Sequence, residues 1–168
     1  TDSTGGGGVI ADGATQWMTA GSGVMHSELP PQDMVAKGGL FHGVQLWVNL
    51  PAAMKWTPPK YQGIEPDDVT LVSTPDGGAL VRIIAGDLAS YQGPGSTFTP
   101  ITYLHATISP GARVDLPWRP DFNAMVYALG GDGFAGPDAT RVRDGQMAVY
   151  GKGDALTLTA DSKQDLRP

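Results

Sequence analysis

One stretch of the chain decides its fold and its chemistry: Gln16-Trp17-Met18-Thr19-Ala20-Gly21-Ser22-Gly23-Val24-Met25-His26-Ser27-Glu28. If residues 24–28 are extended, His26 and Glu28 project from the same face, because side chains alternate along a strand. An imidazole nitrogen beside a carboxylate oxygen suits Fe(II), Mn(II) or Zn(II). The glycines upstream allow a tight turn that delivers this strand to the mouth of a barrel. The same triplet also occurs on solvated faces, and two donors alone do not make a metal site.

Outward from this stretch, strand patterns are frequent and helix patterns are scarce. The runs rich in β-branched and aromatic residues lie at 46–50, 80–84, 101–108, 124–129, 146–150 and 155–159. Glycine and proline turns separate them, and at most one helical turn is expected, at residues 87–90. Short strands at such spacing predict an all-β sandwich or small barrel.

A proline-rich segment divides the chain. Residues 51–66 contain Pro51, Pro58, Pro59 and Pro66 without hydrophobic periodicity, which predicts an extended linker. We therefore expect a β piece over residues 1–50 and a fuller β domain over residues 67–168.

Composition excludes several classes of function. The formal net charge is −6 and the eleven Lys and Arg residues are scattered, which argues against direct nucleic-acid binding. The sequence contains no run of about twenty apolar residues, so it predicts no membrane span. The absence of cysteine fits a cytoplasmic location, and any metal must be held by His, Asp or Glu.

Several segments resemble the pirin family, whose members are two-barrel proteins (bicupins) of the cupin superfamily. The likeness covers most of the chain. The segments that carry it are residues 13–28, Gly39-Leu40-Phe41-His42-Gly43-Val44-Gln45-Leu46-Trp47-Val48-Asn49-Leu50-Pro51 with Pro59-Lys60-Tyr61-Gln62, Arg82-Ile83-Ile84-Ala85-Gly86, and residues 103–112. The resemblance implies cupin-type β-barrels of the jelly-roll kind. It assigns residues 1–50 to the C-terminal part of an incomplete metal-binding barrel and residues 67–168 to a second, metal-free barrel.

The resemblance also implies a ligand set. In this family the N-terminal barrel binds a metal, typically iron, through three histidines and one glutamate. His26 and Glu28 match the later His-x-Glu pair, whereas the earlier His-x-His pair is absent from the 168 residues. Since the chain starts at Thr1 without Met and stops at Pro168, we expect a fragment truncated at both ends. Fe(II) is the expected ion, and another divalent metal is an alternative.

Four further residues are candidates for the wall of the metal pocket: Gln16, Trp17, Met18 and His42. Trp17 could equally be a core residue. For His42, and for His105 within the strand at 101–108, a structural histidine is the favoured interpretation.

Three functions follow from these observations. The resemblance implies a quercetin 2,3-dioxygenase-type oxygenase that acts on a flavonol-like small molecule, with Glu28 as ligand, catalytic base or both. The alternative is a metal- or redox-dependent regulatory protein that binds a transcription factor or a metabolic enzyme. The third possibility is a metal-free structural fragment.

Overall fold

The computed structural model describes residues 2–3, 5–163 and 166–167, and it confirms the all-β prediction. The described residues form one short helix, two 3-10 helices (Ala52–Met54 and Pro66–Asp68) and thirteen strands. In chain order the elements are β1 (Thr15–Thr19), α1 (Gln32–Lys37), β2 (Lys60–Ile64), β3 (Thr70–Ser73), β4 (Ala79–Ala85), β5 (Asp87–Leu88), β6 (Tyr91–Gln92), β7 (Tyr103–Ile108), β8 (Arg113–Pro117), β9 (Ala124–Tyr127), β10 (Gly133–Ala135), β11 (Thr140–Val142), β12 (Met147–Tyr150) and β13 (Ala155–Ala160). No helix of the described residues has the length and apolar character to cross a membrane.

The chain folds as two compact units. The first unit comprises residues 1–66 with 96–100, and the second comprises residues 67–95 with 101–168. The domain boundaries expected from the proline pattern remain predictions. The segment 51–66 is nevertheless more than an extended linker, because it contains a 3-10 helix and strand β2.

The second unit contains the hydrophobic core. Its sheets are antiparallel and run in the orders β3-β4-β7, β11-β10-β13-β8, β12-β9 and β5-β6. Alternate residues point inward. Val81 and Ile83 of β4 are buried, whereas Leu80, which directly precedes Val81, is 41% exposed. The inward residues join one cluster, which includes Val81, Ile83, Ala106, Ile108, Val114, Leu116, Leu156, Leu158 and Leu166.

The first unit is built differently. Strands β1 and β2 pair antiparallel over five residues, and Ile64 is the one buried hydrophobic residue among its described positions. Many large apolar side chains of this unit are exposed: Met25, Leu29, Val35, Leu40, Phe41, Val44, Leu46, Trp47, Val48, Met54 and Trp56. We call residues 25–56 the exposed apolar segment.

Two local predictions are wrong. Residues 46–50 form no strand, since β-forming side chains need a neighbouring strand and a surface to pack on. Residues 87–90 form no helical turn: Ala89 has φ 51°, which is incompatible with a right-handed helix, and it joins β5 to β6. Residues 24–28 form no regular strand: His26 makes an isolated bridge to Asp2, and Met25 is hydrogen-bonded to Ser3.

Helix α1 was missed, although its ends carry recognisable signals. Pro31 precedes the first turn, Asp33 lies within it, and Lys37 lies in the last turn. Gly38 follows with φ 74°. Six residues are too few to show helical periodicity, so only these end signals could have revealed it.

The core packing predicts a large stability difference between two neighbouring positions of β4. Ile83→Ala should lower the free energy of unfolding by about 2–5 kcal/mol, because Ile83 is fully buried and its removal leaves a cavity. The control Leu80→Ala should cost less than about 1 kcal/mol, since that side chain is 41% exposed. Urea unfolding followed by circular dichroism measures both; equal losses would contradict this assignment of the core.

His105 predicts a pH dependence of stability. It lies in β7 opposite Arg82 of β4, and burial together with the charges of Arg82 and Arg167 lowers its pKa. The unfolded chain therefore binds more protons near and below pH of about 6.5, so stability falls as pH drops through this range. His105→Gln should flatten the slope of unfolding free energy between about pH 7.5 and 5.5, whereas the exposed-site control His42→Gln should keep it. An unchanged slope in His105→Gln would show that His105 is not the cause of the pH dependence of stability.

Candidate metal centre

His26 and Glu28 lie side by side on the surface of the first unit. Their Nε2 and Oε1 atoms are 3.8 Å apart, and their side chains are 34% and 56% exposed. The i, i+2 spacing thus brings the two predicted ligands together, although the backbone around them is not part of a regular sheet.

The geometry can be tested against the bond lengths of a metal ion. With metal–ligand bonds of about 2.1 Å, neighbouring ligands are about 3.0 Å apart in an octahedral site and about 3.4 Å apart in a tetrahedral one. The observed 3.8 Å is slightly wider than either, so a small side-chain rotation would bring both donors onto one ion. The donor types fit a transition metal.

The number of donors does not complete a site. Among the described residues, no group of three or more His, Asp or Glu side chains is placed to hold an ion. His26 and Glu28 therefore remain the two ligands that the sequence resemblance predicts.

We call residues 22–28, which contain both predicted ligands, the ligand segment. Hydrogen bonds hold it from two sides. On one side, the Ser3 N–H donates to the Met25 carbonyl over 2.7 Å, and the Met25 N–H donates to Ser3 Oγ over 3.1 Å. On the other side, the Ser22 N–H donates to the Thr57 carbonyl over 2.8 Å. Gly21 is required at this turn, because its φ is +52° and a Cβ there would lie 2.0 Å from the Thr57 oxygen.

The structure divides the predicted pocket residues. In the β1–β2 register Met18 opposes Tyr61, and Gln16 Nε2 donates to the Tyr61 hydroxyl, so Gln16 and Met18 share a face. Trp17 opposes Gln62 on the other face and therefore does not line the same surface. His42 lies in an exposed stretch without helix or strand, and nothing in the described contacts brings it to His26.

Strand β2 contributes residues that the sequence did not predict for this surface. A shallow depression at the end of the β1–β2 pair is lined by Asp2, Met18, Val24, Lys60 and Tyr61, among others. Val24 precedes His26 by two residues, and Asp2 is the bridge partner of His26, so the depression adjoins the ligand segment. No sequence pattern marks this strand, because Pro58 and Pro59 precede it and Lys60–Ile64 does not alternate polar and apolar residues.

Comparison with known proteins agrees with this architecture. The family model for pirin matches residues 1–48. A pirin-like protein of Arabidopsis thaliana is 43% identical over 131 residues, covering 77% of this chain and 41% of the relative. Human pirin is 33% identical over 153 residues, covering 90% of this chain and 50% of the relative.

A solved structure extends the likeness to the whole chain. The quercetin 2,3-dioxygenase of Acinetobacter baumannii superposes with a TM-score of 0.90 at 36% identity, covering 99% of this chain and 57% of that protein. The chain thus spans about half the length of the relatives it matches. In family model, in relatives and in fold, this chain is therefore similar to pirins and to a quercetin 2,3-dioxygenase.

Proposed function

We propose that the intact protein carrying this chain is a metal-dependent oxygenase of the quercetin 2,3-dioxygenase type, with Fe(II) as the preferred ion. The observation that carries the proposal is the His26–Glu28 pair, two donors of the right chemistry held 3.8 Å apart. The likeness to the Acinetobacter baumannii quercetin 2,3-dioxygenase supports the reaction class. The unit from residue 67 onward is proposed to be a second, metal-free cupin barrel, and the absence of cysteine is compatible with a cytoplasmic protein.

In this proposal His26 donates its imidazole lone pair to the ion, and Glu28 supplies a carboxylate oxygen. The ion, when bound, would supply Lewis-acid activation of a flavonol hydroxyl and a path to dioxygen. Glu28 has a second carboxylate oxygen, which can accept the proton of that hydroxyl. On one face of β1, Met18 opposite Tyr61 offers an apolar contact and Gln16 a polar group beside it, the combination that an aromatic substrate with hydroxyls needs.

Metal loading tests the proposal directly. The intact protein loaded with Fe(II) without oxygen should hold close to one iron per chain by elemental analysis. His26→Ala should weaken iron binding by more than the roughly 10–100-fold that loss of an outer-sphere partner costs, because a direct ligand is removed. The matched control His42→Ala should retain the iron, since His42 is an exposed histidine of the same unit.

Activity is the second readout of the same proteins. Under air the iron-loaded protein should consume quercetin, and Glu28→Gln should be much slower because the amide cannot take up the proton. Equal iron content in His26→Ala and the unaltered protein would refute the ligand assignment. Full iron loading without any flavonol turnover would refute the reaction class alone.

The exposed apolar segment favours a second candidate function. In this chain Phe41, Trp47 and Trp56 are 77%, 85% and 84% exposed, and exposed apolar side chains of this size are available to a partner. In this alternative the intact protein is a metal- or redox-dependent regulator that binds a transcription factor or metabolic enzyme. Identical partner capture by Fe(II)- and Fe(III)-loaded protein would eliminate the redox-switch form of it.

A further inference from the structure

We infer that the outward side of the two-stranded β9–β12 sheet is a self-association surface, through which two copies of the protein form a symmetric dimer. We call this surface the β9–β12 face. It consists of four side chains: Met125, Tyr127, Met147 and Val149. The surface lies entirely in the second unit, and the inference does not depend on the proposed metal site.

The strand register places the four side chains together on one side of the sheet. Met147 opposes Tyr127 and Val149 opposes Met125, and directly opposite residues of an antiparallel pair project to the same side. The alternate positions of both strands lie in or against the hydrophobic core: Ala124, Val126, Ala148 and Tyr150. The β9–β12 face therefore points away from the core, and its members are between 46% and 73% exposed.

The composition of this face differs from that of the other sheets of the unit. An antiparallel sheet with one side in water normally alternates apolar and polar residues. Strands β8 and β13 follow this rule, since Arg113, Asp115 and Thr157 occupy outward positions between buried residues. Strands β9 and β12 do not follow it, because Ala-Met-Val-Tyr and Met-Ala-Val-Tyr contain no charged or amide side chain. A sheet that is apolar on both sides has the composition of one that is covered on both sides.

The size of the face fits one half of a dimer interface. Side chains of this size present on the order of 200 Å² each when fully exposed, so the face presents roughly 400–500 Å² at the observed exposures. A standard interface buries about 800 Å² per partner, of which about 65% is apolar in homodimers. The β9–β12 face therefore supplies most of the apolar area that one partner of a stable dimer needs.

A second copy of the chain is the occupant that matches this face chemically. Without charged side chains, the face gives an oppositely charged partner nothing to recognise, whereas another apolar sheet face complements it along its whole length. Two-fold symmetry brings the same patch of both copies together. Two twisted sheets pack face to face about 10 Å apart, with their strands about 30° from parallel, which lets the four side chains of each copy interdigitate.

The first experiment measures self-association by sedimentation velocity between about 1 and 100 μM, the range in which a weak interface of standard size dissociates. It compares the unaltered intact protein with Val149→Lys and Met125→Lys. The matched control is Leu80→Lys, which adds the same charge at an exposed, outward leucine of β4 in the same unit. A second control, Trp47→Lys, adds the charge to the exposed apolar segment.

The unaltered protein should be dimeric at the upper end of this range. Val149→Lys and Met125→Lys should each weaken the dimer at least about tenfold, because a lysine ammonium would lose its water at the centre of the interface. Leu80→Lys and Trp47→Lys should sediment like the unaltered protein. Circular dichroism should show that all five proteins are folded, since the substituted side chains lie outside the core.

Methionine oxidation locates the interface without any substitution. The unaltered protein is treated with dilute hydrogen peroxide, and the oxidised residues are mapped by mass spectrometry. Met125 and Met147 should be oxidised more slowly at 100 μM than at 1 μM, at about the concentration of dimer formation, because the partner copy shields their sulfur atoms. Met25 of the first unit should be oxidised at the same rate at both concentrations.

Three results would overturn the inference. The first is a monomer throughout the concentration range. The second is a dimer that Trp47→Lys dissociates and Val149→Lys leaves intact, which would place the interface in the exposed apolar segment. The third is protection of Met125 and Met147 that is equal at every concentration, which would show that another part of the intact protein covers the β9–β12 face.

Discussion

The burial of the inward faces of the second unit's sheets against one another is the interaction on which most of the structure depends. Ile83 of β4 and Ile108 of β7 are completely buried, and the strand β13 contributes Leu156 and Leu158 to the same cluster. Leu166 also packs in this cluster, and it exchanges both backbone hydrogen bonds with Ile108, at 2.9 and 3.0 Å. Apolar area removed from water on this scale is the dominant favourable contribution to folding.

The candidate metal centre has no such support. It lies in the first unit, where Ile64 is the one buried hydrophobic residue among the described positions, and the residues just before it are held by hydrogen bonds to Ser3 and Thr57. Individual hydrogen bonds contribute little net stability but impose strict geometry. The stable core and the candidate site lie in different units. Substitutions at the site can therefore occur without loss of the fold.

The sequence predicted what depends on local alternation. The strands at 80–84, 101–108 and 155–159 are present because their apolar side chains recur every second residue. The two-residue spacing of His26 and Glu28 also predicted that their side chains lie together, although no regular strand forms there. The sequence could not predict that residues 46–50 remain without a strand, since pairing depends on a neighbour distant in sequence. Nor could it reveal that Tyr61 opposes Met18, because the register of a strand pair is a property of two segments at once.

The exposed apolar segment has a practical consequence for handling this polypeptide. Side chains such as Leu40, Phe41, Trp47 and Trp56 face water over most of their surface, and a net charge of −6 gives only modest mutual repulsion between copies. Colloidal behaviour should therefore depend on concentration and on salt: kosmotropic salts strengthen apolar association, and screening removes the repulsion that opposes it. Light scattering of this polypeptide should therefore rise with added sulfate while its core stays folded.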